Sequence, residues 1–205
     1  MLTAFVILLM ICVRVWNYRG PGAAQPITGP VAAGLLLLVA WAAGLELGRP
    51  TGRSAAYALV GVLVLAACCA AALAIPPIRR LLAQATPAPH PWRSALRDIP
   101  LATVTFEEVA FRGVLWASIA RDFGGAWATV VTAVLFGLWH IKPHRERPVV
   151  AAGTVVFTGL AGALLAVLCQ AGGSLVVPFA IHWAANAFGV LTVKAAHTGT
   201  DEGGP

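Results

Sequence analysis

Charge is scarce in this chain. Fourteen Lys and Arg and eight Asp and Glu make up 11% of its 205 residues, against about a quarter in an ordinary soluble domain. With a mean hydropathy of +0.82, so few charges exclude a soluble globular fold and point to a polytopic membrane protein. Further absences narrow the chemistry. The four cysteines (Cys12, Cys68, Cys69 and Cys169) form no CxxC and lie in apolar runs; they read as small buried apolar residues. No HExxH is present to offer two histidines one helical turn apart as a metal chelate. No GxSxG or GxGD occurs, which argues against the serine and aspartyl intramembrane proteases. No basic stripe interleaved with aromatics appears, so the formal charge of +6 is not a nucleic-acid signal. No internal repeat is found.

What is present is a series of apolar runs. They cover Leu2 to about Val15, then about 30–48, 54–75, 98–120, 124–141, 148–170 and 174–194. A spanning helix needs about 20 apolar residues, so the expected fold is all-α: a transmembrane bundle of about seven helices, six to eight. The first run ends at Arg14 and Arg19 and reads as a retained helix; a signal peptide would carry its charge before the apolar stretch. Residues 76–97 hold five prolines and four arginines. They read as a surface segment in which "IRRLLAQ" forms one or two interfacial turns. The organisation expected is 1–97 as N-terminal helices and linker, 98–194 as a four-helix core, and 195–205 as a disordered tail.

Orientation follows from Lys and Arg. With the N-terminus outside and seven spans, ten fall inside, among them Arg79, Arg80, Arg93, Arg97, Lys142, Arg145, Arg147 and Lys194; only Arg49, Arg53 and Arg121 fall outside. That bias favours N-out and C-in.

Inside runs four to seven the strongly polar residues are Glu107, Glu108, Arg112, His140, His182 and Asn186. Ionisable groups in spans are rare and mark functional interiors. Glu108 and Arg112 are four apart and share a helix face, whereas Glu107 points about 100° away. One carboxylate can be held by Arg112 while the other faces a cavity. Phe136 and His140 are also four apart, as are His182 and Asn186. Counting 1.5 Å per residue from the expected inner ends puts Glu107 and Asn186 about 12 Å deep and His182 about 18 Å. His140 lies at an inner helix end. The set fits one site in the inner half of the bilayer, open to the cytoplasm.

Plainer readings stand beside this one. Glu108 and Arg112 can form a packing clamp, His140 can be interfacial, and His182 with Asn186 can make an interhelical hydrogen bond. Trp116, Trp127, Trp139 and Trp183 read as belt anchors, with Trp139 and Trp183 as alternative cavity linings. Gly113, Gly137 and Gly189 allow close helix approach. A small transporter with a proton relay, or a non-catalytic immunity or scaffold protein, would use the same buried groups.

The order Glu107-Glu108-x-x-x-Arg112, Phe136-x-x-x-His140, His182-x-x-x-Asn186 resembles the three-motif pattern of the CAAX protease and bacteriocin-processing (Abi) family of intramembrane proteases. The similarity covers about residues 98–194. It implies a glutamate-dependent endopeptidase acting on a membrane-associated or hydrophobic peptide. By that resemblance Glu107 activates water, His140 helps hold it, His182 and Asn186 stabilise the oxyanion, and Glu108, Arg112 and Phe136 support the site. A metal remains an alternative: Glu107, His140 and His182 could ligate zinc or another divalent ion, although a metal-free mechanism is preferred. The expected partners are the lipid bilayer and a peptide substrate, not nucleic acid, and the expected location is a bacterial plasma membrane.

Overall fold

The computed structural model of the protein describes residues 2–141 and 147–201. Among these residues there are eight helices and no strand beyond an isolated bridge between Gly48 and Ser174. Helix α1 is Leu2–Arg19, α2 is Gln25–Ala42, α3 is Gly52–Ala74 and α4 is Pro76–Leu82. A continuous helical stretch over 91–123 follows, designated α5. Then come α6, Gly125–Trp139; α7, Pro148–Gly172; and α8, Val176–Asp201. Among the described residues, five segments are long and apolar enough to cross a membrane: Leu2–Arg19, Gly22–Ala42, Gly52–Ala74, Pro148–Gly172 and Val176–Thr198. The protein is an integral membrane protein with an all-α bundle.

Local sequence sets the helix ends. Thr51 and Ser54 close a capping box at α3, with Ser54 N donating to Thr51 Oγ1 at 3.2 Å and Thr51 N to Ser54 Oγ at 2.6 Å. Pro76 and Pro148 open α4 and α7, where a missing N–H costs no helix bond. Gly173 ends α7 in the left-handed region at φ 70°, which glycine adopts without a Cβ clash. The turn to α8 then needs only a few residues.

Helix α5 is the centre of the bundle. Phe106, Ala110, Phe111, Val114 and Leu115 pack against Val6 and Met10 of α1, Leu36 and Ala40 of α2, and Ala128 and Phe136 of α6. Pro100 lies inside it and supplies no N–H. The backbone responds by widening: Ser94–Val104 and Val109–Leu115 are π-helical, and Thr105 N and Oγ1 both turn to Pro100 O. Only Thr105–Glu108, carrying the two glutamates, is α-helical between them. π turns of this kind occur often at functional sites. The outer faces of α3 and α7 present Leu59, Leu63, Phe157 and Leu160, a surface suited to lipid.

Small residues bring α6 and α7 together, as expected where lipid removes the hydrophobic drive. A Cβ on Gly137 would lie 2.5 Å from Val155 O. A Cβ on Gly113 would meet the Leu175 side chain first, at 3.3 Å, and Gly189 faces open space, so the expected close approach holds at Gly137 and fails at Gly189. Helix α6 has 15 residues, about 22 Å at 1.5 Å per residue, against a hydrocarbon layer of about 30 Å.

Three expectations are corrected. Helical structure begins at Pro91 rather than near 98. Helix α8 continues to Asp201, through most of the segment expected as a disordered tail; Lys194, Ala195 and Ala196 favour helix, Ala196 is buried, and His197 Nε2 donates to Ala85 O at 2.9 Å. Of the cysteines only Cys169 is buried; Cys12 and Cys68 face outward. The surface segment does form a two-turn helix, α4. Lys142 and Arg145 lie outside the described residues.

Candidate active site

Glu107 and Glu108 diverge from adjacent positions, as helical geometry requires. Glu108 Oε1 accepts from Arg112 Nη1 at 2.8 Å, and both side chains are about 2% exposed. The i,i+4 pairing survives the π winding of Val109–Leu115. Arg112 is held further by Gly162 O, 3.4 Å from Nη2, and by the Phe136 ring, whose centroid is 4.0 Å from its guanidinium carbon. A buried ion pair needs such extra contacts to offset its desolvation. Glu107 points the other way: its Oε1 accepts the indole N–H of Trp139 at 3.0 Å.

His182 on α8 stands between the two carboxylates. Its Nδ1 donates to Glu108 Oε1 at 2.6 Å, and its Nε2 lies 3.9 Å from Glu107 Oε2. A carboxylate oxygen can only accept, so Nδ1 carries a proton and Nε2 is the nitrogen presented to Glu107. His140 follows α6 directly. Its Nδ1 donates to Phe136 O at 2.7 Å, which leaves Nε2 free to accept. Phe136 packs edge-on against both histidines, at centroid distances of 4.6 and 5.8 Å. It fixes the spacing of the two imidazoles while its face receives Arg112.

The structure therefore brings Glu107, Glu108, Arg112, Phe136, His140 and His182 together. It does not bring Asn186 into the cluster: Asn186 is exposed one turn along α8 and makes no hydrogen bond among the described residues. The depth estimate is corrected accordingly. Glu107 is level with His182 rather than with Asn186: His182 Nε2 lies 3.9 Å from Glu107 Oε2. Trp139 turns its N–H to Glu107, so its place is the cavity wall and not only the belt. Trp183 ties α8 to the start of α5 through Ala95 O at 2.7 Å. A signal for Trp139 was present in its position beside His140 at a helix end.

Among the described residues, no three His, Cys, Asp or Glu side chains gather as a metal-ligand set. Glu107 faces Trp139 and His182, while His140 turns one nitrogen to its own helix. As placed, these side chains do not converge on one point that a metal ion could occupy. Glu108 Oε2 is buried with no hydrogen-bond partner from the protein.

Two carboxylates, two imidazoles and a guanidinium in one partly buried cluster can accept a proton from water and donate to a developing oxyanion. The match with a known family falls on the segment that builds this cluster. Residues 92–188 match the family model described as type II CAAX prenyl endopeptidase Rce1-like. Over this segment the chain is similar to the CAAX proteases. No curated protein and no solved structure matches the chain significantly. The matching model describes endopeptidases, and five helices among the described residues are long and apolar enough to embed the chain in a membrane.

Proposed function

We propose that the protein hydrolyses a peptide bond within the membrane, with Glu107 as the general base. The observation that carries this reading is the imidazole of His182 held between the two glutamates, 2.6 Å from one and 3.9 Å from the other. Glu108 Oε1 is committed to Arg112 and His182 and its Oε2 is sealed in the interior, whereas the less buried Glu107 keeps Oε2 beside His182 Nε2, where water can reach it. Glu107 takes a proton from water, and His140 Nε2 accepts the water's second hydrogen and orients its lone pair. The water oxygen bonds to the scissile carbonyl carbon. His182, carrying a proton on Nε2, donates to the oxyanion. An imidazolium there makes the charges of Glu107, Glu108, Arg112 and His182 sum to zero. Collapse of the tetrahedral species breaks the C–N bond, and Glu107 returns its proton to the leaving amine. Asn186, with its amide uncommitted, is a donor to the substrate carbonyl from the open side of α8.

The substrate is a peptide with a hydrophobic or membrane-tethered end. The charge bias of the loops supports an N-out, C-in orientation in a bacterial plasma membrane, with the site opening to the cytoplasm. The reaction is metal-free in this reading.

Purified full-length protein in lipid nanodiscs, incubated with a library of hydrophobic peptides, should cleave a subset. Glu107→Ala and Glu107→Gln should abolish cleavage while leaving peptide capture intact, and the captured peptides define the substrate. Unchanged cleavage by Glu107→Gln would overturn the assignment.

A further inference from the structure

Arg14, on α1, has no carboxylate within ion-pair distance among the described residues. Its Nη2 donates to Ile141 O at 3.2 Å, and its guanidinium stacks on Tyr18 at 4.6 Å and on Trp139 at 4.8 Å. Those contacts fix its position but use one of its five N–H donors. A cation in a low-dielectric surrounding attracts a counter-ion strongly.

The surroundings of Arg14 say what kind of counter-ion fits. It lies at one end of a 280 Å³ groove between α1, α5 and α6, lined by Ile7, Met10, Ile11, Phe111 and Leu138 among others, and it is the one charged residue in that lining. Ile11, Val15 and Leu138 are each about half exposed, so the groove opens on the outer surface of the bundle. Arg14 is five residues from the C-terminal end of α1 and level with the end of α6, at the depth where acyl chains meet headgroups. An apolar channel with a single cation at its headgroup end matches an anionic amphiphile.

We propose that the groove holds one acyl chain of a phospholipid of net negative charge, with the lipid phosphate paired to Arg14. Guanidinium offers phosphate two parallel donors, and the arginine-bearing side of the bundle, under the charge bias, is the leaflet rich in anionic lipid. The site lies outside the family-matched segment at Arg14 and inside it at Trp139, so the bound lipid touches the indole that holds Glu107. The lipid site does not depend on the peptidase reading.

The test is photolabelling of the full-length protein in phosphatidylcholine nanodiscs carrying a trace phospholipid with a diazirine on its acyl chain. The headgroup is either phosphatidylglycerol or phosphatidylcholine. Labelling of Ile11, Val15 and Leu138 should be about fivefold higher with the anionic probe, the preference expected for one arginine near an anionic surface. Arg14→Gln should remove the excess, Arg14→Lys should keep most of it, and Arg79→Gln should leave it intact. Equal labelling by the two probes, or an excess that survives Arg14→Gln, overturns the proposal. So does displacement of the label by a cleaved peptide, which would assign the groove to substrate.

Discussion

The indole N–H of Trp139 donates to Glu107 Oε1 at 3.0 Å, so the proposed base is oriented by a neighbour on another helix. The same ring packs edge-on against Phe111 at 5.6 Å. Trp139→Phe keeps most of the ring and removes the bond. A hydrogen bond to a charged group contributes about 1.5–3 kcal/mol to stability, so the melting temperature should fall by the equivalent amount, and kcat/KM should fall further than an equally destabilising change away from the site. Peptide cleavage and a melting curve on the same preparation check this.

The Glu108–Arg112 pair is almost fully buried. Removing one member strands the other, a loss of about 3–5 kcal/mol, whereas replacing both with apolar residues of similar volume is often neutral. Arg112→Met alone should lower stability severely. Glu108→Gln with Arg112→Met should recover much of it, but not activity, because His182 loses its carboxylate. Helix retention on heating separates these outcomes.

Gly137→Ala should weaken the α6–α7 contact, because the added Cβ meets Val155 O at 2.5 Å. The expected cost is about 1–3 kcal/mol from overpacking. Gly189→Ala, facing open space, should be neutral or slightly stabilising. Unfolding in mild detergent measures the difference between the two.

Activity should persist after exhaustive treatment with a membrane-permeant chelator. Loss of cleavage restored by zinc, and by no other addition, would replace the metal-free mechanism with a zinc-dependent one.

The sequence made the helices legible because each apolar run has a length that only a helix can satisfy in lipid. It also made the chemistry legible, since charge is so rare that Glu107, Glu108, Arg112, His140 and His182 stand out. The one-turn spacing foretold the Glu108–Arg112 pair and the Phe136–His140 contact. It did not foretell that His182 would join the two glutamates, because that depends on the relative height of α5 and α8. That height is set by the packing of the two helices, which counting residues from the helix ends does not give. Asn186 shares a face with His182 by spacing, yet α8 leaves it exposed. The place of Arg14 arises from packing between helices distant in sequence, which no local pattern encodes.

Helix α6, with only 15 residues, exposes Trp127, Val130, Val134 and Leu138 along its outer side. Lipid beside it must shorten to match, and such mismatch draws the bilayer thinner locally. A dimple in the membrane at His140 would let water and peptide reach Glu107 over a shorter distance than the bulk thickness implies. Turnover should then rise in short-chain lipids and slow in long-chain ones, which makes bilayer thickness itself a control on this enzyme.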